Sequence, residues 1–179
     1  MELRRVIESS LLLAGGFVLH QIMPPLVAGM KPDMSLLMLF IVVLLYQDKK
    51  LVILSGLLAG IISALSTTFP GGQVANMLDK PITALAVLTL ILLGDYFKLS
   101  RKFSLGIIGV LGTIISGTVF LTTASLVVAL PQSFLVLFIS VVLPATLLNT
   151  CFLYMLYPII AKIKGLVSKV EFNSGEEIV

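Results

Sequence analysis

The feature that most restricts the fold of this chain is the near-unbroken succession of apolar stretches along it. Short clusters of charged residues, prolines and glycines separate stretches near 4–23, 34–47, 51–68, 81–98, 104–130 and 134–164. All but the second reach the roughly 17–25 residues that a helix needs to cross a hydrocarbon core about 30 Å thick. A soluble fold has no interior large enough to bury them: 58% of residues are hydrophobic and 12% charged, about half the charge of an ordinary soluble domain. In lipid every backbone polar group must be satisfied internally, and runs of this length do so as helices. The sequence therefore predicts an all-α integral membrane protein, a bundle of six transmembrane helices. It forms one domain over 1–170, with a loose polar tail at 171–179. The stretch at 34–47 is short for a crossing, so it is expected to begin in the membrane interface or to be shielded by its neighbours. The fifth and sixth are long enough to tilt or to project beyond the bilayer.

The charges test this layout. With six crossings, Arg4, Arg5, Lys49, Lys50, Lys98, Arg101, Lys102, Lys162, Lys164 and Lys169 fall on one side and only Lys31 and Lys80 on the other. A miscounted helix would scramble such a separation. The positive-inside rule places both termini in the cytoplasm and the loops at 24–33, 69–80 and 131–133 outside. The net charge of +3 thus reports orientation in a bilayer, and no nucleic-acid partner is expected. Arg4 and Arg5 before an apolar run have the look of a signal peptide, but the run ends at Pro24-Pro25 without a small-residue cleavage site and is read as a retained first helix.

Catalysis has little to work with. One histidine and one cysteine, Cys151, give no metal constellation and no disulfide, and no HExxH, GxSxG or phosphate-loop pattern occurs. The chain is read as a non-enzyme without a cofactor of its own. Its informative polar residues gather in the two longer outside loops and the adjoining helix ends: His20-Gln21, then Gly29-Met30-Lys31-Pro32-Asp33-Met34, and the run Phe69-Pro70-Gly71-Gly72-Gln73 through Asn76 to Asp79-Lys80-Pro81.

Each loop holds one lysine and one aspartate, Lys31 with Asp33 and Lys80 with Asp79, a set of opposite charges that suits a zwitterion such as an amino acid. Both loops lead into helix starts, where the dipole favours an anion. Ordinary accounts exist beside this one. Asp33 after Pro32 also reads as a helix cap, Asp79-Lys80-Pro81 as a helix start with proline in the first turn, and both lysines as headgroup anchors. Gly71-Gly72 permits either an inward-folded loop or a plain turn. Gln73 and Asn76, three residues apart, can accept a hydrogen bond from an indole or amide N–H, or can cap their own loop. His20 lies at the outer end of the first helix. Among Phe17, Phe69 and Phe120, Phe69 is the best placed to pack on an aromatic ligand. Gly56-x-x-x-Gly60, Gly60-x-x-x-Ala64, Ser10-x-x-x-Ala14 and Gly112-x-x-x-Ser116 allow helices to approach closely, and Ala14-Gly15-Gly16 leaves a flat patch on the first helix.

These two loop motifs, within six helices in fewer than 200 residues, resemble the tryptophan-transport S components, the substrate-binding subunits of energy-coupling factor (ECF) transporters. The similarity covers nearly the whole chain. It implies a subunit of the bacterial cell membrane that captures L-tryptophan near the outer face. Delivery then requires a transmembrane coupling subunit and two cytoplasmic ATPases, which alone use ATP, while the S component reorients in the bilayer. On this resemblance Asp33 and Asp79 are candidates for the ammonium, Lys31 or Lys80 for the carboxylate, Gln73 or Asn76 for the indole N–H, with His20, Gln21 and Phe69 beside them. Ser10-x-x-x-Ala14 is the nearest match to the family's Ala-x-x-x-Ala docking pattern. The alternatives are a self-sufficient secondary amino-acid transporter, an S component for a vitamin, and a non-transporting assembly subunit.

Overall fold

The computed structural model describes residues 2–24 and 32–176, with side chains described as far as 165. The described residues form helices only. They are α1 (Leu3–Ile22), α2 (Met34–Tyr46), α3 (Lys49–Ser66), α4 (Gly72–Tyr96), α5 (Arg101–Val127) and α6, which runs from Phe134 to Glu176. Four of them, α3 to α6, are long and apolar enough to cross a membrane. The first, α1, has 20 residues but carries Arg4, Arg5 and Glu8 in its opening turns.

Helix α2 is the axis of the bundle. Every residue from Met34 to Leu44 is buried, and this explains why the stretch has no polar face: a helix apolar all round is one that other helices surround. At 1.5 Å per residue it is roughly 20 Å long, too short to bridge the core unaided, and its neighbours supply the remaining wall. α1 packs on α2 and α3, α3 on α4, α4 on α5, and α6 closes the bundle against α2 and α5. Gly16 sets the α1–α2 approach, since a Cβ there would lie 2.6 Å from Met38 Cγ. Gly56 and Gly60 set the α3–α4 approach. A Cβ on Gly56 would meet the Pro81 Cα at 2.8 Å, and one on Gly60 the Asn76 carbonyl at 3.0 Å.

Short polar side chains mark the helix starts. Asp48 caps α3 by accepting from the amides of Lys50 and Leu51 at 2.9 and 3.1 Å, and these amides, that of Leu51 first, hold its carboxyl below the usual range. Ser100 and Ser133 cap α5 and α6. Arg101 stitches the same end, donating to Tyr157 Oη at 2.9 Å and reaching the Leu44 carbonyl at the end of α2.

The principal difference from the sequence reading lies in α4, which begins at Gly72 rather than at 81. Pro81 stands inside the helix instead of in its first turn, and Gln73, Asn76, Asp79 and Lys80 are helical. At the other end α6 continues to Glu176, beyond 164 and into the segment read as a loose tail. Two π-helical turns interrupt the long helices, Ile108–Gly112 in α5 and Phe138–Val142 in α6. The second ends just before Pro144, whose missing N–H removes the bond that the Ser140 carbonyl would accept in a regular helix.

Candidate functional site

A cavity of about 200 Å³ opens where the start of α2 meets α4, α5 and α6. At its polar end three charges converge. Lys80 Nζ lies 3.1 Å from Asp33 Oδ2 and 3.1 Å from Asp79 Oδ2. The proximity follows from the fold: Lys80 is one residue past Asp79 on the buried face of α4, and Asp33 is the cap of α2, which α4 packs beside.

The two carboxylates are not equivalent. Asp79 is sealed, its side chain 1% exposed, and accepts from Thr83 Oγ1 at 2.7 Å and Ser116 Oγ at 2.8 Å as well as from Lys80. Its lone pairs are committed to the bundle. Asp33 keeps 34% of its side chain exposed and divides its oxygens between two tasks. Oδ1 accepts from the Leu36 amide at 3.0 Å, the bond of a helix cap, while Oδ2 faces Lys80. The cap expected at Asp33 is present, and the same carboxylate pairs with Lys80 of the other motif. Lys80 spends two of its three N–H donors on these carboxylates and has capacity for one more acceptor. Formally the trio carries one negative charge.

Asn149 of α6 is the residue that sequence reasoning missed. Its Oδ1 accepts from the Asp33 backbone N–H at 2.9 Å, fixing the first turn of α2, and its Nδ2 reaches Thr113 Oγ1 at 3.4 Å. The available signal was a buried-type amide flanked by Thr146 and Thr150 within an otherwise apolar run. Thr113 and Ser116, just past the π turn of α5, also line the cavity.

The opposite end is apolar. Phe69 and Phe120 meet edge to face with centroids 5.3 Å apart, backed by Leu121, Leu137 and Val142. Phe69 is held there by a tight turn: its carbonyl accepts from Gly72 N at 2.9 Å and its amide donates to Thr67 Oγ1 at 3.2 Å. Gly71 makes the turn with φ 70°, in the left-handed region. The Gly71-Gly72 pair therefore builds the turn into α4 and not an inward loop.

Of the residues expected at the site, the cavity gathers Asp33, Phe69, Asp79 and Lys80. His20 stands at the edge, its Nδ1 3.9 Å from Asp33 Oδ1. Gln21 and Gln73 are exposed and outside the lining. Asn76 is buried, turned toward α3, and donates to the Ser63 carbonyl at 3.4 Å. Lys31 lies outside the described residues. Phe120, set aside in favour of Phe69, lines the cavity with it.

The family model described as "Tryptophan transporter TrpP" matches residues 2–164. This chain belongs to the TrpP family of tryptophan transporters. Proteins named probable tryptophan transport protein are similar to it over most of their length. That of Bacillus subtilis (strain 168) is 45% identical over 164 residues, covering 91% of this chain and 94% of the relative. That of Clostridium acetobutylicum is 50% identical over 150 residues, covering 83% and 86%. That of Clostridium perfringens (strain 13 / Type A) is 43% identical over 162 residues, covering 86% and 89%. No solved structure matches. As a TrpP-family member with four helices long and apolar enough to cross a membrane, the chain is a multi-pass membrane protein of a transporter family. The family model, over 2–164, takes in every residue of the cavity.

Proposed function

We propose that the cavity binds L-tryptophan and that the chain is the substrate-binding S component of an ECF-type importer in a bacterial cell membrane. In this reading its termini and basic loops are cytoplasmic, and it works with a transmembrane coupling subunit and two ATPases. The observation that carries the ligand assignment is Lys80 shared between Asp33 and Asp79 at one end of a cavity whose other end is the Phe69–Phe120 pair. A zwitterion complements it. The ligand ammonium goes to the exposed carboxylate of Asp33, and the ligand carboxylate goes to the remaining donor of Lys80. The ring fills the space against the two phenylalanines, where edge-to-face contacts contribute about 0.5–1.5 kcal/mol beyond burial. The hydroxyl oxygens of Thr113 and Ser116 are acceptors within the same lining for an indole N–H, a task for which Gln73 and Asn76 are turned the wrong way. A cavity of about 200 Å³ falls below the roughly 300–1,000 Å³ of sites for drug-sized ligands, as suits a single amino acid better than a large vitamin. The names of the relatives support tryptophan; the ten-to-two placement of basic residues supports the orientation.

The chain contains no tryptophan, so the emission of the ligand itself reports binding to the purified protein. Saturable binding of L-tryptophan with Kd below about 1 mM, and at least tenfold weaker binding of tyrosine and phenylalanine, is expected. Failure of any aromatic amino acid to bind would defeat the ligand assignment. Uptake into cells lacking the coupling subunit and ATPases would instead defeat the S-component assignment and point to a self-sufficient transporter.

A further inference from the structure

At the basic end of the bundle, at the other end of α2 from the candidate cavity, a second recess of about 270 Å³ lies between α1, the end of α2 and α6. Its floor is apolar, made by Leu11, Leu12, Leu45, Ile160 and Ile163. Its rim is charged, and a neighbouring recess of about 210 Å³ continues it past Glu8, Tyr46 and Lys164 to Glu2, Arg4 and Arg5. An apolar trough that opens into a cationic rim at a helix end has the polarity of a phospholipid.

The rim is built rather than merely solvated. Tyr46 Oη donates to Glu8, and Glu8 also accepts from Arg4 Nε at 2.6 Å. With Glu8 engaged by these two donors, the Lys164 ammonium rests on the face of the Tyr46 ring, 3.8 Å from its centroid. No carboxylate among the described residues lies within 4 Å of that ammonium. Among the described residues Arg5 pairs with the exposed Glu2, at 2.9 Å, a surface contact of little energy. Lys164 on the Tyr46 ring and Arg5 on its exposed pair are the cations this rim presents to a phosphodiester.

We propose that this recess binds one anionic phospholipid, its phosphodiester on Lys164 with Arg5 beside it and one acyl chain along the trough of Leu11, Leu12, Ile160 and Ile163. Basic pockets between membrane helices recognise anionic headgroups in this way. The zwitterionic choline lipid fits less well, because its ammonium would face Lys164 and the two arginines. The site joins α1 to α6, two helices that are distant in sequence.

The test is native mass spectrometry of the delipidated chain titrated with dioleoyl phosphatidylglycerol or dioleoyl phosphatidylcholine. The expected result is one saturable phosphatidylglycerol adduct, with at least tenfold preference over phosphatidylcholine. Lys164→Gln should abolish the preference, Lys164→Arg should retain it, and Lys50→Gln, at an exposed lysine of the same end, should leave it unchanged. L-tryptophan titration of each variant checks that it is folded. Equal binding of the two lipids overturns the proposal, as does an unchanged preference in Lys164→Gln. A loss in Lys50→Gln as large as that in Lys164→Gln also overturns it, because a diffuse basic surface would then suffice. Displacement of the lipid by inorganic phosphate at matched concentration overturns the acyl-chain half.

Discussion

Asp33 caps α2 with one oxygen and faces Lys80 with the other; in the proposed function the second would also meet the ligand, and substitution can separate the two tasks. Asparagine caps a helix about as well as aspartate but carries no charge to offer an ammonium. Asp33→Asn is therefore expected to leave the melting temperature within a few degrees of the parent while weakening L-tryptophan binding at least tenfold, about 1.4 kcal/mol. Asp33→Ala should lose the cap as well, a further cost of about 1 kcal/mol visible in thermal unfolding. Equal affinity in the parent and Asp33→Asn would remove this carboxylate from the site. The cap at Asp33 was legible because Pro32-Asp33 before an apolar run announces one; its pairing with Lys80, 47 residues on, was not. The burial of Asn149 was legible from its apolar surroundings, but its partner was not, for that backbone N–H is 116 residues away and nothing local distinguishes an amide that holds it from one that merely packs. Asn76 shows the converse: adjacency to the charged motif suggested a ligand contact, but its place on the turn of α4 directs it to α3.

At the scale of the helices, the α3–α4 contact decides how α4 presents Asp79 and Lys80. Gly56→Ala would put a methyl group 2.8 Å from the Pro81 backbone and force the helices apart, an overpacking expected to cost about 1–3 kcal/mol. Gly15→Ala provides the control, since nothing lies within 4 Å of its added Cβ and alanine favours the helix by up to about 1 kcal/mol. Thermal unfolding in detergent should therefore rank Gly15→Ala at or above the parent and Gly56→Ala below it; the reverse order would contradict the packing. The small-residue spacing made this contact foreseeable, but not the start of α4. Proline is at home in a first turn, so Pro81 invited a start at 81. Pro81 instead lies inside α4 at its closest approach to Gly56 of α3. The π turns are equally hidden, because the shift of phase they introduce needs a polar face to show it, and the helices that hold them are apolar round most of their circumference.

For the molecule as a whole, the separation of basic residues between the two faces makes orientation testable. In a Cys151→Ser background, a cysteine at Gln132 is expected to react with a membrane-impermeant maleimide in intact cells, while one at Lys98 should react only after permeabilisation; the opposite pattern would invert the topology. The apolar succession alone was sufficient to foresee the six-helix bundle, because crossing length and backbone satisfaction leave few other solutions. The arrangement around a central helix was foreshadowed only by the shortness of 34–47. That shortness also has an electrical consequence. The Tyr46 end of α2 is followed by Gln47-Asp48-Lys49-Lys50, which places it near the headgroups, and a helix of roughly 20 Å leaves its capped end roughly 10 Å beneath the opposite surface of a core about 30 Å thick. In the proposed site and orientation, a ligand at Asp33 would cross part of the transmembrane voltage before binding, where each net charge carried would change the binding energy with membrane potential. A zwitterion carries no net charge through that depth, so its affinity for such a site is expected to change only weakly with membrane potential, through the separation of its ammonium and carboxylate along the field.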